Sequence, residues 1–452
     1  MSRHINMTTG KPLRLLFSFA LPLMFGNVFQ QLYTVVDTAI VGRGVGMDAL
    51  AALGSVDWLN WMLLGIAQGF TQGFSVRIAQ KFGEGDMKGL RQTAGQSALL
   101  SAVMALVCTV AIQLALPMIL DLLRVPEALR DMASLYTRVL MAGLPAVVFY
   151  NYCASVLRAV GDSRTPLVAM VAAALTNIVL DLLTVFVLGW GIAGAAAATV
   201  VAQCLSGFIC AQKIRQTPGL HFGRGNLVPR SRDCGDLVRI GSPIAAKNMV
   251  IALGGMVIQS IVNGFDLSFI AGFTATNKLY GLLEIAAISY GYAVTTYVGQ
   301  NFGAGLFPRI RSGVRSAAIL SVLTSLVIAA LMFLFGRPIT MLFISAEDPQ
   351  LMAMAGETAY QYLCVMSVSL PVLYLLYVYL SAMQGLGRTV HTMISGIVEF
   401  ILRVGFATLV GWSGYQTGIF GAEVSAWFGA AAYLSVSYAL CIRKLQKNMP
   451  QA

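Results

Sequence analysis

Charge is what this chain has least of. Only 11% of its 452 residues are Asp, Glu, Lys or Arg, while 57% are hydrophobic, and the mean hydropathy is +0.75. A soluble domain carries roughly 25% charged residues. A chain this apolar cannot bury its surface away from water, which excludes a soluble globular class and points to the bilayer. Histidine is scarcer still: His4, His221 and His391 fall in the tail, a linker and a helix start, and none is assigned chemistry. The seven cysteines are odd in number and form no CxxC pair, which excludes a disulfide framework and a cysteine metal site. Cys108, Cys153, Cys204, Cys210, Cys364 and Cys441 lie in apolar runs and read as small fillers, with Cys234 in a linker. No nucleophile–base pair or metal constellation is evident, so no enzyme and no cofactor is expected. No cleavable signal peptide is visible, because the first apolar run is too long and continues into a polar helix face.

What is present is a succession of long apolar runs. Twelve spans are expected, at 14–41, 50–74, 93–118, 132–157, 166–188, 192–212, 238–262, 269–296, 314–336, 356–383, 390–411 and 418–441. The fold class is therefore an all-α integral membrane protein. The net charge of +11 would suggest nucleic acid in a soluble protein, but here the basic residues sit between spans. They concentrate in the amino terminus (Arg3, Lys11, Arg14), in alternate loops (Arg77, Lys81, Lys88, Arg91; Arg158, Arg164; Arg309, Arg311, Arg315; Arg388), in the central linker and in the tail. The opposite side holds Arg43, Arg124, Arg130 and Arg337. The positive-inside rule puts both termini in the cytoplasm of a multi-pass cell-membrane protein, which an even number of spans satisfies.

The two halves repeat. QKFGEG at 80–85 matches QNFGAG at 300–305, GDSRT at 161–165 matches GLGRT at 385–389, Pro22 matches Pro243 and Pro145 matches Pro371, at offsets of 220, 224, 221 and 226. Two pseudo-symmetric lobes of six spans result, 1–222 and 223–452, joined by a linker over 213–237. Such halves usually meet around an axis along the membrane normal with the substrate path between them. The in-span prolines bend helices and free carbonyls, as pivots or as packing features.

Two carboxylates stand out against this background. Asp37 in span 1 and Asp181 in span 5 each cost about 2.5–3.5 kcal/mol at the centre of an inserted helix. Span 1 carries a polar stripe of Asn27, Gln30 or Gln31, Thr34 and Asp37 with Thr38, recurring every three or four residues and so sharing a face. In lipid that face must meet protein or a water-filled cavity, as a binding surface or as a helix–helix hydrogen-bond seam. Asn177 lies four residues before Asp181, and span 6 carries Thr199. Counting from Gly42, Gly189 and Gly191, Asp37, Asp181 and Thr199 sit at a similar depth. Asp37, Asn177, Asp181 and Thr199 therefore form a candidate oxygen cage for H+ or Na+. Two nearby carboxylates in a low dielectric cannot both ionise cheaply, so such a pair takes up and releases a cation as a unit. Shifted by the repeat offsets, Asp37 lands on Ile258 and Asp181 on Gly405, so the second half lacks both acids.

Other buried charges are Glu399 and Arg403, spaced to neutralise each other in span 11; Glu284 in span 8 near Lys278; and Lys247, expected to reach the headgroups. With Asn27, Gln31, Thr34 and Tyr150, the residues Glu284, Glu399 and Arg403 are candidates for a substrate cavity. Met and aromatic residues in the spans, such as Trp58, Trp61, Met62, Tyr152, Tyr374 and Tyr377, would offer varied ligands an adaptable apolar surface where they face it.

The chain resembles the multidrug and toxic compound extrusion (MATE) transporters over essentially its whole length. The match rests on ALPLMFGNVFQQLYTVVDTAIVGR at 20–43, the paired QKFGEG and QNFGAG loops, and VLRAVGDSRTPL at 156–167. The resemblance implies a twelve-helix, two-lobe antiporter that expels small amphiphilic, cationic drugs against a Na+ or H+ gradient. In some members an acidic cation site lies in the amino-terminal lobe, and by motif it maps onto Asp37, Asn177, Asp181 and Thr199. Others use acids in spans 7 and 10; here neither span has an interior carboxylate, since Glu357 stands at the entrance of span 10. The expected activity is cation/drug antiport by alternating access in a monomer. The alternative is a flippase for lipids or lipid-linked oligosaccharides, which would call for a cluster of Arg or Lys that Arg138, Lys247, Lys278 and Arg403 do not form in the sequence.

Overall fold

The apolar runs fold as helices. A computed structural model describes residues 5–344 and 349–447; Arg3 and His4 lie outside them. Among the described residues α1 (Pro12–Gly44), α2 (Met47–Gly83) and α3 (Met87–Leu122) come first, then α4 (Glu127–Ala142) and α5 (Leu144–Ala159). Next is α6 (Arg164–Asp181), continued by a π-helical segment over Leu182–Val187, and then α7 (Gly191–Gln216). The second half holds α8 (Ser231–Val262), α9 (Leu267–Leu283), α10 (Ile285–Gly303), α11 (Phe307–Met341), α12 (Pro349–Gly385), α13 (Thr389–Ser413) and α14 (Phe420–Lys447). The expected all-α membrane architecture is what forms.

Ten of these helices are long and apolar enough to cross a membrane, or eleven if α4 and α5, bent by 43°, count as one span. Twelve spans were expected. The difference lies in the run 269–296, which is divided at Glu284 into α9 and α10. The run at 132–157 is divided too. Gly143 separates its two helices, and Pro145 occupies the first turn of α5, where its missing N–H breaks no bond. Its counterpart Pro371 lies inside the continuous α12.

The duplicated loops turn on glycines in the left-handed region, Gly85 (φ 74°) with Gly305 (φ 71°), and Gly161 (φ 92°) with Gly387 (φ 73°). The second pair is 226 apart, the offset of Pro145 and Pro371 rather than the 224 of the sequence motif. The first-half loops add acidic caps. Asp86 Oδ1 accepts from the Gly89 N–H at 2.8 Å, and Asp162 Oδ1 accepts from the N–H groups of Arg164 and Thr165 at 3.1 and 3.0 Å. Both satisfy helix-start donors that would otherwise be orphaned.

The chain divides into two units. One comprises the described residues up to Asn6 with Leu21–Ala246, the other Met7–Ala20 with Lys247 onward. In the first unit, Ile78, Leu90, Tyr152, Cys153, Val156, Leu157 and Cys210 form one buried core, and Ile40, Val41, Val56, Leu59, Leu116, Leu120 and Val185 another. Gln96 fastens the segment before α8 to α3, donating to the carbonyls of Asn226 and Val228 at 2.7 and 2.8 Å. In the second unit the QNFGAG loop grips the chain start. The Met7 N–H donates to Gln300 Oε1 at 3.0 Å, and Asn301 Nδ2 donates to the Met7 carbonyl at 3.0 Å. The cysteines are free thiols, with Cys153 and Cys210 buried as apolar filler.

Candidate cation site

Helices α1 and α6 are pressed together near both ends of their contact. A Cβ on Gly26 would stand 3.3 Å from Met170 Sδ, and one on Gly44 would stand 2.4 Å from Val185 Cγ1. Glycine at 44 is thus required for α1 to reach the π-helical segment. Between these contacts the side chains of Asp37 and Asp181 lie close enough for each to act on the charge of the other. Asp181 is fully buried. Neither of its oxygens, nor Asp37 Oδ1, receives a donor. A hydrogen bond can join them only when a proton sits between the two groups; two bare carboxylates there would repel.

One turn back on α6, buried Asn177 donates through Nδ2 to Thr199 Oγ1 of α7 at 3.3 Å, leaving its own Oδ1 without a partner. Helices α1, α6 and α7 thus bring Asp37, Asn177, Asp181 and Thr199 together. Directly after Asp181 the helix widens, and the Leu188 N–H reaches back five residues to the Leu183 carbonyl at 2.9 Å. Such π-turns are common at functional sites. This one holds Thr184, buried and with an unpartnered Oγ1. A Cβ on Gly194 would stand 2.8 Å from Thr184 Cβ, so glycine is what admits α7 here.

Sequence reasoning missed Thr184 and a phenol–amide fringe. Tyr33 lies within interaction range of Gln30, Thr34 and Gln203 and feels the charge of Asp37. Tyr136 of α4 lies within electrostatic range of Asp37, Asp57 and Asp181. Tyr33 sits one turn before Asp37 and was open to the same spacing argument; Tyr136 and Gln203 carry no local signal.

The stripe on α1 divides. Asn27, Gln31 and Asp37 are half-buried. The hydroxyls of Thr34 and Thr38 bond to their own helix, at the carbonyls of Gln30 (3.0 Å) and Thr34 (2.8 Å). Tyr150 is 7% exposed and belongs to the apolar core with Tyr152 and Cys153. Glu284, Glu399 and Arg403 lie in the second unit. Arg403 Nη2 is 2.7 Å from Glu423 Oε2 and 3.9 Å from Glu399 Oε2, and Tyr377 donates to Glu284 Oε2 at 3.1 Å. Lys247 does not reach the headgroups as expected: it is 7% exposed and points at an aromatic ring. Lys278 lies apart, exposed, on a cavity of about 230 Å³ lined also by Thr274, Phe343 and Leu351.

Among the described residues no three His, Cys, Asp or Glu side chains group as metal ligands. The unpartnered oxygens of Asp37, Asn177, Asp181 and Thr184 nevertheless make an all-oxygen donor set, with at most two negative charges. That set suits a proton or a small monovalent cation.

The family model described as MatE matches residues 22–183 and 243–409. The chain belongs to the MatE family of membrane transporters. It is a member of a transporter family and not an enzyme. The two matched stretches coincide with the two copies of the repeat. The chain is 29% identical over 441 residues, 96% of both chains, to the probable multidrug resistance protein YpnP of Bacillus subtilis (strain 168). It is 25% identical over 402 residues, 86% of each chain, to a protein of Shewanella oneidensis called an FAD transporter. A crystal structure of MATE in complex with MaL6 shares the fold at a TM-score of 0.90 and 24% identity, covering 99% of this chain and 100% of that one.

Proposed function

We propose that this MatE transporter expels amphiphilic, cationic, drug-like molecules and is driven by inward movement of H+ or Na+ through the Asp37–Asp181 pair. The single observation that carries the coupling is the contact of these two carboxyls, with no donor reaching Asp181. The pair takes a cation because its charge is otherwise uncompensated, and releases it because two carboxylates share the burden. Asn177 and Thr199 position the site, and their unused oxygen capacity would complete the shell of a sodium ion. The name of the Bacillus relative supports multidrug cargo. The basic loops support a cell-membrane protein with cytoplasmic termini.

Coupling requires that the cation bind one access state better than the other. A potential of 100 mV supplies about 2.3 kcal/mol per charge, enough for about a fiftyfold gradient of a neutral substrate at 1.4 kcal/mol per tenfold. A monocation exported against one incoming cation moves no net charge, so such exchange runs on the ion's concentration gradient alone. The test is ethidium uptake into inverted vesicles carrying the protein, under an imposed H+ or Na+ gradient. Uptake should follow one of the two ions, and uptake indifferent to both overturns antiport.

The FAD transporter relative raises an anionic cargo, as would a flippase for lipid-linked sugars. Either needs cations free to meet phosphate. Here Arg403 is held by Glu423 and Glu399, and Lys247 is drawn toward Glu399 and Glu284. The cationic reading is therefore preferred.

A further inference from the structure

The broken span of the second unit is a built feature. The Leu283 carbonyl, orphaned where α9 ends, accepts from Tyr374 of α12 at 2.7 Å. One turn on, Tyr377 of the same helix donates to Glu284 Oε2 at 3.1 Å, and Tyr280 also reaches Glu284. Discontinuous helices are how transporters build ion and substrate sites. Lys247 of α8 enters this place. Its stem crosses α13 at Gly396, where a Cβ would stand 2.8 Å from Lys247 Cγ. Its ammonium lies 5.9 Å from the centroid of the Tyr377 ring. Glu399 and Glu284 attract it and Arg403 opposes it, yet among the described residues no ion pair joins it to either acid.

The two cations of this region differ in kind. Arg403 is pinned against Glu423 at 2.7 Å. Lys247 hangs on a flexible four-carbon stem between carboxylates that it does not touch. Glu284, Glu399 and Glu423 stand against Lys247 and Arg403, leaving one carboxylate in excess, and Glu399 Oε1 has no donor. An aromatic face within about 6 Å of a cation, flanked by carboxylates, is the chemistry that recognises organic ammonium groups. Shifted by the 221 of the repeat, Lys247 and Glu284 fall on Gly26 and Leu63. The first unit has no copy of this arrangement.

We propose that the Lys247 ammonium is a tethered stand-in for the substrate. It holds the seat over Tyr377, between Glu284 and Glu399, that the cationic centre of an exported organic monocation takes when Lys247 swings aside. This rests on the export reading above and names the site where that cargo is recognised. Exchange of one cation for another leaves the charge balance of the cluster unchanged, so the seat is never emptied of positive charge. Rigid neutral molecules gain nothing there and leave Lys247 in place.

The experiment is equilibrium binding of ethidium to the purified full-length protein in nanodiscs, read by fluorescence anisotropy. Lys247→Gln removes the internal competitor and should tighten binding about tenfold. Glu284→Gln should weaken it by a similar factor and cancel the gain when combined with Lys247→Gln. Lys278→Gln, which neutralises a cation outside the seat, should change nothing. Folded Lys247→Gln protein that binds ethidium no tighter than wild type overturns the proposal. If Lys247→Gln does not fold, Glu284→Gln decides: unchanged affinity overturns the seat. Wild-type protein that binds no ethidium overturns the export reading itself, and this proposal with it.

Discussion

Asp181 is the last residue of α6 before the π-helical turn, and its carboxyl contacts that of Asp37 on α1. The wider turn contains Thr184, which is buried with its hydroxyl unpartnered. An acid pair beside a helical irregularity is locally costly, which is what a site that must bind and let go requires.

Asp37→Asn and Asp181→Asn should each abolish gradient-driven ethidium uptake while leaving thermal stability equal or raised. Each change removes one of two repelling charges and keeps the shape. Vesicle uptake and Tm together check this. Either variant retaining full coupled uptake refutes the assignment of the pair.

Thr184→Val is isosteric and removes only a hydroxyl that has no hydrogen bond. As a structural position it should cost little, since replacing an unsatisfied polar atom is neutral or stabilising. As part of the cation shell it should raise the ion concentration needed for half-maximal uptake by about tenfold. Unchanged ion dependence would remove Thr184 from the site.

Arg403→Met should destabilise the protein by about 3–5 kcal/mol, because Glu399 and Glu423 lose their common counter-charge in a buried place. Adding Glu423→Gln should restore part of the loss. Thermal denaturation in detergent measures both. An innocuous Arg403→Met would show that water reaches the cluster.

Asp86 lies in a loop, and the Gly89 N–H, then Lys81, hold its carboxyl below the usual range. A depressed carboxylate stabilises above its unfolded value, near 3.9, and the contribution fades as pH falls through the folded value. Asp86→Ala should cost about 1 kcal/mol of cap energy at pH 7 and flatten the acid limb of the stability curve. Transport should be unchanged. A pH–stability curve identical to wild type would show that the cap contributes nothing.

Part of the candidate cage was legible because helices impose a period: Asn177 and Asp181 are four apart, and depth counted along the spans put Asp37, Asp181 and Thr199 at one level, which left open whether their helices touch. Tyr136 and Gln203 were not, since each reaches the acids from another helix through packing that no local pattern encodes. The run 269–296 reads as one apolar span, and nothing in it announces that Tyr374, ninety-one residues after Leu283, would catch a freed carbonyl and stabilise a break. Lys247 looked like a residue near a membrane face. Its burial depends on Gly396, whose missing Cβ leaves room for the stem.

The amino-acid sequence alone determined the solvent, the helical class, the duplication and the presence of two intramembrane acids in one half. Those come from hydropathy, periodicity and repeat spacing, which are properties of a chain read in order. Only the tertiary structure decided that Asp37 and Asp181 touch, that the helix widens after Asp181, and that Lys247 faces Tyr377 with no ion pair. Such pairings are set by close approach of distant helices at glycines, and contact energies between remote residues leave no trace in local order.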